Sequence, residues 1–317
     1  MIKPLGTSNL PRLFLQSGKQ MGNQAVPKEA LISRRPNGLR FRSLVKQWFS
    51  PGDSFHGWLF LKDGKLCGVV SVRERSSRST WEIDRLLFSE PDQDAGQALL
   101  EAVGSAAAER GVLKVFLRLP QDSPILSIAA KAGFCTYLEE KLFRSKGISL
   151  GPKMPESNYS LQPCSEAEAQ VLFQLYCQVV PAAVRCVEGM TLNEWQATSW
   201  EPVSRRRQLA CLEPASSRRQ YTCWQEDELI GWLRVSSCGR AGIIELMAQP
   251  KHMEAMLDYG LSCLRHKSYV NYLVPAFQGD LAVLLQEHKF ELAGNYISLV
   301  QETASRVRQP QLAPLKA

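Results

Sequence analysis

The 317-residue sequence has no run of 18 apolar residues, so no segment is long enough to cross a bilayer as a helix. Its first residues, Met1-Ile2-Lys3-Pro4-Leu5, lack the apolar stretch of a secretory leader, and a cytoplasmic location without a membrane partner is expected. The nine cysteines are odd in number and include no Cys-x-x-Cys or Cys/His ligand spacing, which points to reduced, mostly buried thiols. Histidines are few and scattered, at 56, 252, 266 and 288, so no metal is expected. With 44% hydrophobic and 22% charged residues, the composition is that of an ordinary globular protein. Only the ends fall outside that description: 305–317, with Pro310 and Pro314 and no apolar period, reads as a flexible tail.

The net charge of +7 is clustered, at Arg34-Arg35, Arg40, Arg42, Arg205-Arg206-Arg207 and Arg218-Arg219. Such clusters either attract phosphates or simply form a solvated basic face. Arg205 to Arg207 beside Trp200 resemble a rudimentary single-strand footprint, but nothing else in the chain supports a nucleic-acid partner, and none is expected. Trp48, Trp58, Trp195, Trp200, Trp224 and Trp232 are read as core aromatics before they are read as a pocket lining.

What the chain does contain is one unit written twice. Asp63-Gly64-Lys65-Leu66-Cys67-Gly68-Val69-Val70-Ser71-Val72 returns as Glu226-Asp227-Glu228-Leu229-Ile230-Gly231-Trp232-Leu233-Arg234-Val235, an offset of 231 − 68 = 163 that Glu82 and Glu245 also keep. Val112 to Pro120 returns as Lys267 to Pro275 at 275 − 120 = 155, so the second copy has lost about eight residues in between. A single long period implies two tandem domains, each large enough for its own core. The expected division is 1–147, a Gly/Pro/Ser-rich linker at 148–158, 159–303 and a tail at 304–317.

Within copy one, Lys62-Asp63-Gly64 separates two strand-like runs as a hairpin turn, and Trp81 to Phe88 reads as a third strand. Gln93 to Arg110 has helical spacing (Ala95, Leu99, Val103, Ala106) closed by Gly111, and Val112 to Leu119 is a buried strand. Asp122-Ser123-Pro124 opens a second helix that stops at Gly133-Phe134, and two short strands, 134–138 and 141–145, close the unit. Copy two repeats this order after a strand, 159–162, and a helix, 165–180, opened by the capping box Ser165-Glu166-Ala167-Glu168. It adds strands at 208–212, 221–225, 229–236, 243–248 and 269–274, helices at 251–264 and 280–288, and a final strand pair over 290–300. The expected fold class is α/β, two mixed sheets with helices on their faces.

This order, carried by Trp81 to Leu100, by Ala129-Ala130-Lys131-Ala132-Gly133-Phe134 and by the hairpins at Gly68 and Gly231, resembles the GNAT superfamily of acyl-CoA-dependent N-acetyltransferases over almost the whole chain. The resemblance implies acetyl-CoA as co-substrate and an amine-bearing small molecule or protein as acceptor. It implies a pantetheine arm against Leu86, Leu87 and Phe88, with a backbone N–H of Leu87 or Phe88 near the thioester oxygen. It also implies pyrophosphate at Ala95 and Gly96, where a helix N-terminus gathers unsatisfied donors.

Departures are plain. Of the six positions of the family's glycine loop, Pro91, Asp92, Gln93, Asp94, Ala95 and Gly96, only Gly96 fits. In copy two, Gln249-Pro250-Lys251-His252-Met253 has no glycine, and the missing residues are expected there. The tyrosine that in such proteins protonates the leaving thiolate is replaced by Ala129 and Leu285. Glu82 and Glu245 stand where some family members carry a general base, or else are polar residues on the open face of a strand. Two readings follow: an N-acetyltransferase with a degenerate cofactor loop, and a non-catalytic GNAT-fold binding or regulatory protein that binds acyl-CoA weakly or not at all.

Overall fold

The structure, a computed structural model, describes residues 1–6, 22–32, 55–75, 79–88, 93–146, 159–198 and 217–303. The expected linker, tail and strand at 208–212, together with Pro91, Asp92, Trp48, Trp200 and Arg205 to Arg207, lie outside them.

In chain order the first half comprises β1 (Ile2–Pro4), β2 (Gly22–Asn23), α1 (Lys28–Ile32), β3 (Phe55–Lys62), β4 (Lys65–Glu74) and β5 (Thr80–Phe88). It continues with α2 (Gln93–Glu109), β6 (Lys114–Pro120), α3 (Ile125–Lys131) and β7 (Cys135–Lys146). The second half comprises β8 (Ser160–Pro163), α4 (Ala169–Val179), α5 (Ala182–Glu188), α6 (Leu192–Thr198), β9 (Ser217–Gln225), β10 (Glu228–Cys238) and β11 (Ala241–Ala248). It ends with α7 (Met253–Cys263), β12 (Tyr269–Pro275), α8 (Gly279–Glu287) and β13 (Glu291–Glu302). Positive φ at Asp63 (50°) and Gly64 (74°) makes the tight β3–β4 turn that the Asp-Gly pair signals. The capping box at Ser165 forms as expected, on a short 3₁₀ turn that leads into α4. The helices α5 and α6 and the short elements β1, β2 and α1 carry no strong sequence period and were not foreseen.

The strands join in one sheet, in the order β1-β3-β4-β5-β6-β13-β7-β12-β11-β10-β9-β8, with β2 paired to β5. Neighbours are antiparallel except β5 with β6 and β11 with β12, the two places where a helix crosses over. The order reads alike from either edge, and its centre is an exchange. The last strand of the second half, β13, lies between β6 and β7, and β7 lies between β13 and β12. The closing strand pair expected in each copy is therefore one strand from each copy. Tyr137 is the extra residue of a bulge in β7, where pairing jumps from Ser298↔Leu138 to Leu299↔Thr136.

Each half consequently borrows core. Ile297 and Leu299 of β13 pack with Leu99, Val115 and Ile128 of the first half, and Phe143 of β7 packs with Leu257, Tyr272 and Leu285 of the second. The expectation of two self-contained cores gives way to two interlocked ones. Gly68 and Gly231 do equivalent work within them. A Cβ at Gly68 would stand 2.9 Å from Leu99 of α2, and one at Gly231 would stand 3.0 Å from Met256 of α7, so each glycine lets its helix settle on the hairpin.

Register relocates the eight missing residues. From Arg73 to its partner Glu82 is 82 − 73 = 9, whereas from Ser236 to Ile243 is 243 − 236 = 7, so the turn before β11 is shorter by two. A bulge at Asp84 accounts for one. From Phe88 to Lys114 is 114 − 88 = 26 against 269 − 248 = 21 from Ala248 to Tyr269, which accounts for five and leaves α7 shorter than α2. The loop at Gln249 to Met253 holds only part of the loss.

The exchanged strands are fastened by a buried ion pair. Arg118 of β6 grips Glu140 of β7 with both Nε (2.6 Å) and Nη2 (3.2 Å), and Ser298 of β13 donates its hydroxyl to the same carboxylate. Burial pushes the Glu140 carboxyl up, but the guanidinium overrides that and holds it below the ordinary carboxylate range. We expect Glu140→Ala to cost about 3–5 kcal/mol in chemical denaturation, because it strands a buried guanidinium, and the double replacement Arg118→Met, Glu140→Leu to cost clearly less. Because the cores are shared, both halves should unfold in one transition. A folded-state carboxyl lowered below its unfolded value stabilises above about pH 4.3, and that stability should be lost as pH falls below it in acid titrations.

Candidate functional site

In the first half the parallel strands β5 and β6 pair only over Thr80 to Glu82 with Lys114 to Phe116, and then part. The parting follows the bulge at Asp84, where pairing with β4 jumps from Val72↔Ile83 to Ser71↔Arg85. Past that point the facing edges of β5 and β6 have backbone groups with no strand partner from each other. Residues 22–26 enter the opening. Gly22 and Asn23 pair with Phe88 and Leu87, Gln24 N donates to Leu86 O (2.9 Å), and Val26 N donates to Arg118 O (2.9 Å).

Asn23 makes this crossing possible. Its Oδ1 accepts the N–H of Leu86 (2.8 Å) and also that of Ala25 (3.2 Å), a local turn that swings the chain from β5 toward β6. Its Nδ2 donates to Asp84 O at the bulge (3.2 Å). Ala25 is fully buried and Val26 nearly so. Arg118 closes the far side, its Nη1 donating to Val26 O (3.4 Å).

Alternation puts Val70, Val72, Trp81 and Ile83 under the helices and turns Ser71, Arg73, Glu82 and Arg118 to the opposite face. There Glu82 accepts a 2.6 Å ion-paired bond from Arg73 Nη2. Asp84 accepts a 2.6 Å bond from Ser71 Oγ, with Arg85 Nε 4.0 Å away. Burial pushes the Asp84 carboxyl up, against the pull of Arg85 and the Ser71 hydroxyl. Two carboxylates thus lie two residues apart on β5, on the face away from the helices, where β5 and β6 part. Sequence reasoning singled out Glu82 through its offset to Glu245 and passed over Asp84, although the two are i and i+2 on one strand and alternation alone puts them on the same face.

The cofactor positions expected from sequence are all buried. Leu86, Leu87 and Phe88 form the edge against which residues 22–24 lie, with Leu87 between Val69 and Asn23. Ala95 and Gly96 sit at the start of α2, but Gly96 faces apolar neighbours: a Cβ there would lie 3.2 Å from Ile128 Cγ2 and 3.5 Å from Phe88. Gly96 therefore serves the contact between α2 and α3. Ala129 and Leu285 are core residues, so neither position supplies a proton donor.

In the second half the corresponding opening is closed. Strands β11 and β12 pair from Ala241 to Ile244 and then part, but the Tyr272 hydroxyl reaches across to Leu246 O (3.5 Å). The helix start carries Pro250, which removes a donor, and buried His252, which meets Tyr159 at 3.3 Å. Glu245 is not the counterpart of Glu82: the strand pairings Glu82↔Phe116 and Ile243↔Asn271 align Glu82 with Ile243. Glu245 is bound by Arg234 Nη1 and by Lys28 Nζ of α1, each at 3.1 Å. Burial alone would raise its carboxyl, but Lys28, Arg234 and Arg218 hold it far below the ordinary range, which makes it a poor proton acceptor. Among the described residues no group of His, Cys, Asp and Glu could hold a metal ion, and no helix is long and apolar enough to cross a membrane.

No protein-family model matches the chain, and no curated protein matches it in sequence. Solved structures do match it along its length. A tandem GNAT protein from the clavulanic acid biosynthesis pathway is 14% identical with a TM-score of 0.56, covering 97% of this chain and 99% of that one. A GCN5-related N-acetyltransferase from Sphaerobacter thermophilus is 12% identical with a TM-score of 0.58, covering 96% and 97%. One from Anabaena variabilis is 11% identical with a TM-score of 0.52, covering 95% of this chain and 72% of that one. The chain has the tandem GNAT fold.

The surroundings of Gly96 set a stability expectation that needs no ligand. Gly96→Trp should force α2 away from α3 and lower stability by about 1–3 kcal/mol or more, read by thermal or denaturant unfolding of the free protein.

Proposed function

We propose that the first half is an acyl-CoA-dependent acyltransferase centre, acting on an amine at the opening between β5 and β6. One observation carries this reading: the opening already holds an extended, amide-bearing segment by the backbone groups of Leu86 and Arg118. A pantetheine arm has the same character, a narrow chain with two amides. The fit is partial. Leu86 to Phe88 and Arg118 suit the arm, whereas the start of α2, with Gly96 packed against Ile128, does not form a glycine cradle for a pyrophosphate.

Bound acyl-CoA would supply a thioester acyl group. The chain's own contribution is to hold an acceptor amine on the open face and to take its proton. Asp84 and Glu82 are the carboxylates on that face, and burial raises the carboxyl of Asp84. Charge stabilisation would come from backbone N–H groups of the bulged strand. The acceptor is an amine-bearing small molecule or protein, and the setting is cytoplasmic.

A second reading has its own support. The opening of the first half is filled by the chain itself and that of the second half is crossed by Tyr272, as in a non-catalytic binding or regulatory protein of this fold.

Isothermal titration with acetyl-CoA, followed by thiol-release assays over an amine panel, separates the two. Under the first reading acetyl-CoA binds and turnover rises with pH as base and amine lose protons. Asp84→Asn or Glu82→Gln, whichever removes the base, then lowers the rate by ~10²–10⁴-fold. Absence of both binding and turnover establishes the second reading.

A further inference from the structure

We infer that residues 22–26 are a displaceable occupant of the β5–β6 opening, an internal competitor that any extended ligand must replace. The inference rests on reading that opening as the acyl-CoA groove.

Its first support is the way the segment is held. Inside the opening it relies on backbone and amide hydrogen bonds, at Leu86, Asp84 and Arg118, and on two small side chains, Ala25 and Val26. It adds to a strand edge as a separate peptide would, with no large apolar anchor. Gln24 Oε1 also accepts from Ser123 Oγ of the first half at 3.3 Å, and the remaining ties lie on the second half: Lys28 to Glu245, with Lys28 43% exposed, and Leu31 O, which accepts from Asn271 Nδ2 at 2.6 Å. A segment inserted into one half by hydrogen bonds and two small buried side chains, and tied to the other by Lys28 and Leu31, can leave the first half as a unit by local opening.

The second support is the cost of an empty groove. Departure without replacement would leave the Leu86 N–H and C=O and the Arg118 C=O unpaired in a buried place. Exchange is favoured only for a ligand that presents donors and acceptors along an extended chain, so an amide-bearing arm can displace the segment where a plain alkyl chain cannot. Room adjoins it. A cavity of about 560 Å³, lined by Val26, Pro120, Asp122, Asn295 and Tyr296 among others, opens beside the end of the segment.

Asn23→Ala in the full chain tests this. It removes both side-chain bonds to β5 while leaving every residue of the proposed chemistry in place. If the segment competes, apparent acetyl-CoA affinity rises about tenfold in Asn23→Ala, and by less in Asn23→Asp, which keeps an acceptor for Leu86 N–H. Saturating acetyl-CoA should also speed hydrogen exchange at the amides of Gln24 and Val26 while those of Leu117 and Leu119 stay protected. Equal affinity in the parent and Asn23→Ala, or bound acetyl-CoA with Gln24 and Val26 still protected, overturns the inference. If acetyl-CoA binds neither protein, exchange alone decides. Local opening at Gln24 and Val26 well before global unfolding supports a displaceable segment and rejects only the acyl-CoA reading. Exchange of those amides solely through global unfolding rejects the segment as displaceable.

Discussion

The exchange of strands at the centre of the sheet is pinned by the Arg118–Glu140 pair. It joins β6 to β7 across an intervening strand of the other half, and Ser298 of that strand binds the same carboxylate. Buried ion pairs seldom add much stability over apolar packing, but they are unforgiving of misalignment, because a slipped register leaves charge without a partner. Here that intolerance fixes the exchange of β7 and β13, which otherwise would rest on the alternation of side chains alone. The same guanidinium then reaches Val26 O, so the residue that locks the sheet also closes the far wall of the groove.

The parallel strands part in both halves, and what distinguishes the first is that β5 carries one residue more than its counterpart. Pairing between β10 and β11 runs unbroken from Gly231↔Ala248 to Cys238↔Ala241, whereas β4 and β5 slip at Asp84. The slip puts Asp84 at the point where β5 and β6 part, its carboxylate on the buried Ser71 hydroxyl and its carbonyl on Asn23 Nδ2. In the second half the parting of strands is spanned by a tyrosine hydroxyl, and its carboxylate, Glu245, serves instead as the anchor for Lys28. The two copies have thus divided the labour: one retains an opening, and the other holds the segment that fills it.

Much of this was legible beforehand. The paired hairpins, the helix stripe from Ala95 to Ala106 and the Gly111 and Gly133 stops are local patterns, and local patterns survive in sequence. The exchange of terminal strands was not legible, since β7 and β13 alternate in the same way whichever neighbour they meet. The equal offset of Glu82 and Glu245 misled for a related reason: a two-residue shorter turn moves a side chain along the strand without changing its face, so both glutamates remain polar and outward though they are not equivalent. The bulge at Asp84 and the insertion of Gly22 to Val26 are tertiary facts. Asn23 followed by Ala25-Val26-Pro27 hints at a turn and an extended stretch, but nothing in those residues names the strand they join.

A groove that must stay hydrogen-bonded explains why the fold tolerates so poor a phosphate loop. In a glycine-rich loop the affinity for a phosphorylated ligand comes from the helix start, and the strand edges add to it. Here the helix start is committed to packing, with Gly96 against Ile128, and under the proposed acyl-CoA reading the strand edges are left as the selective element. Selection by strand edges depends on amide spacing and not on charge, and a segment of the chain itself meets that requirement as well as a ligand does. Under that reading the parted strands are satisfied in the free protein by residues 22–26 of the chain itself, and a ligand must match their hydrogen bonds to take their place.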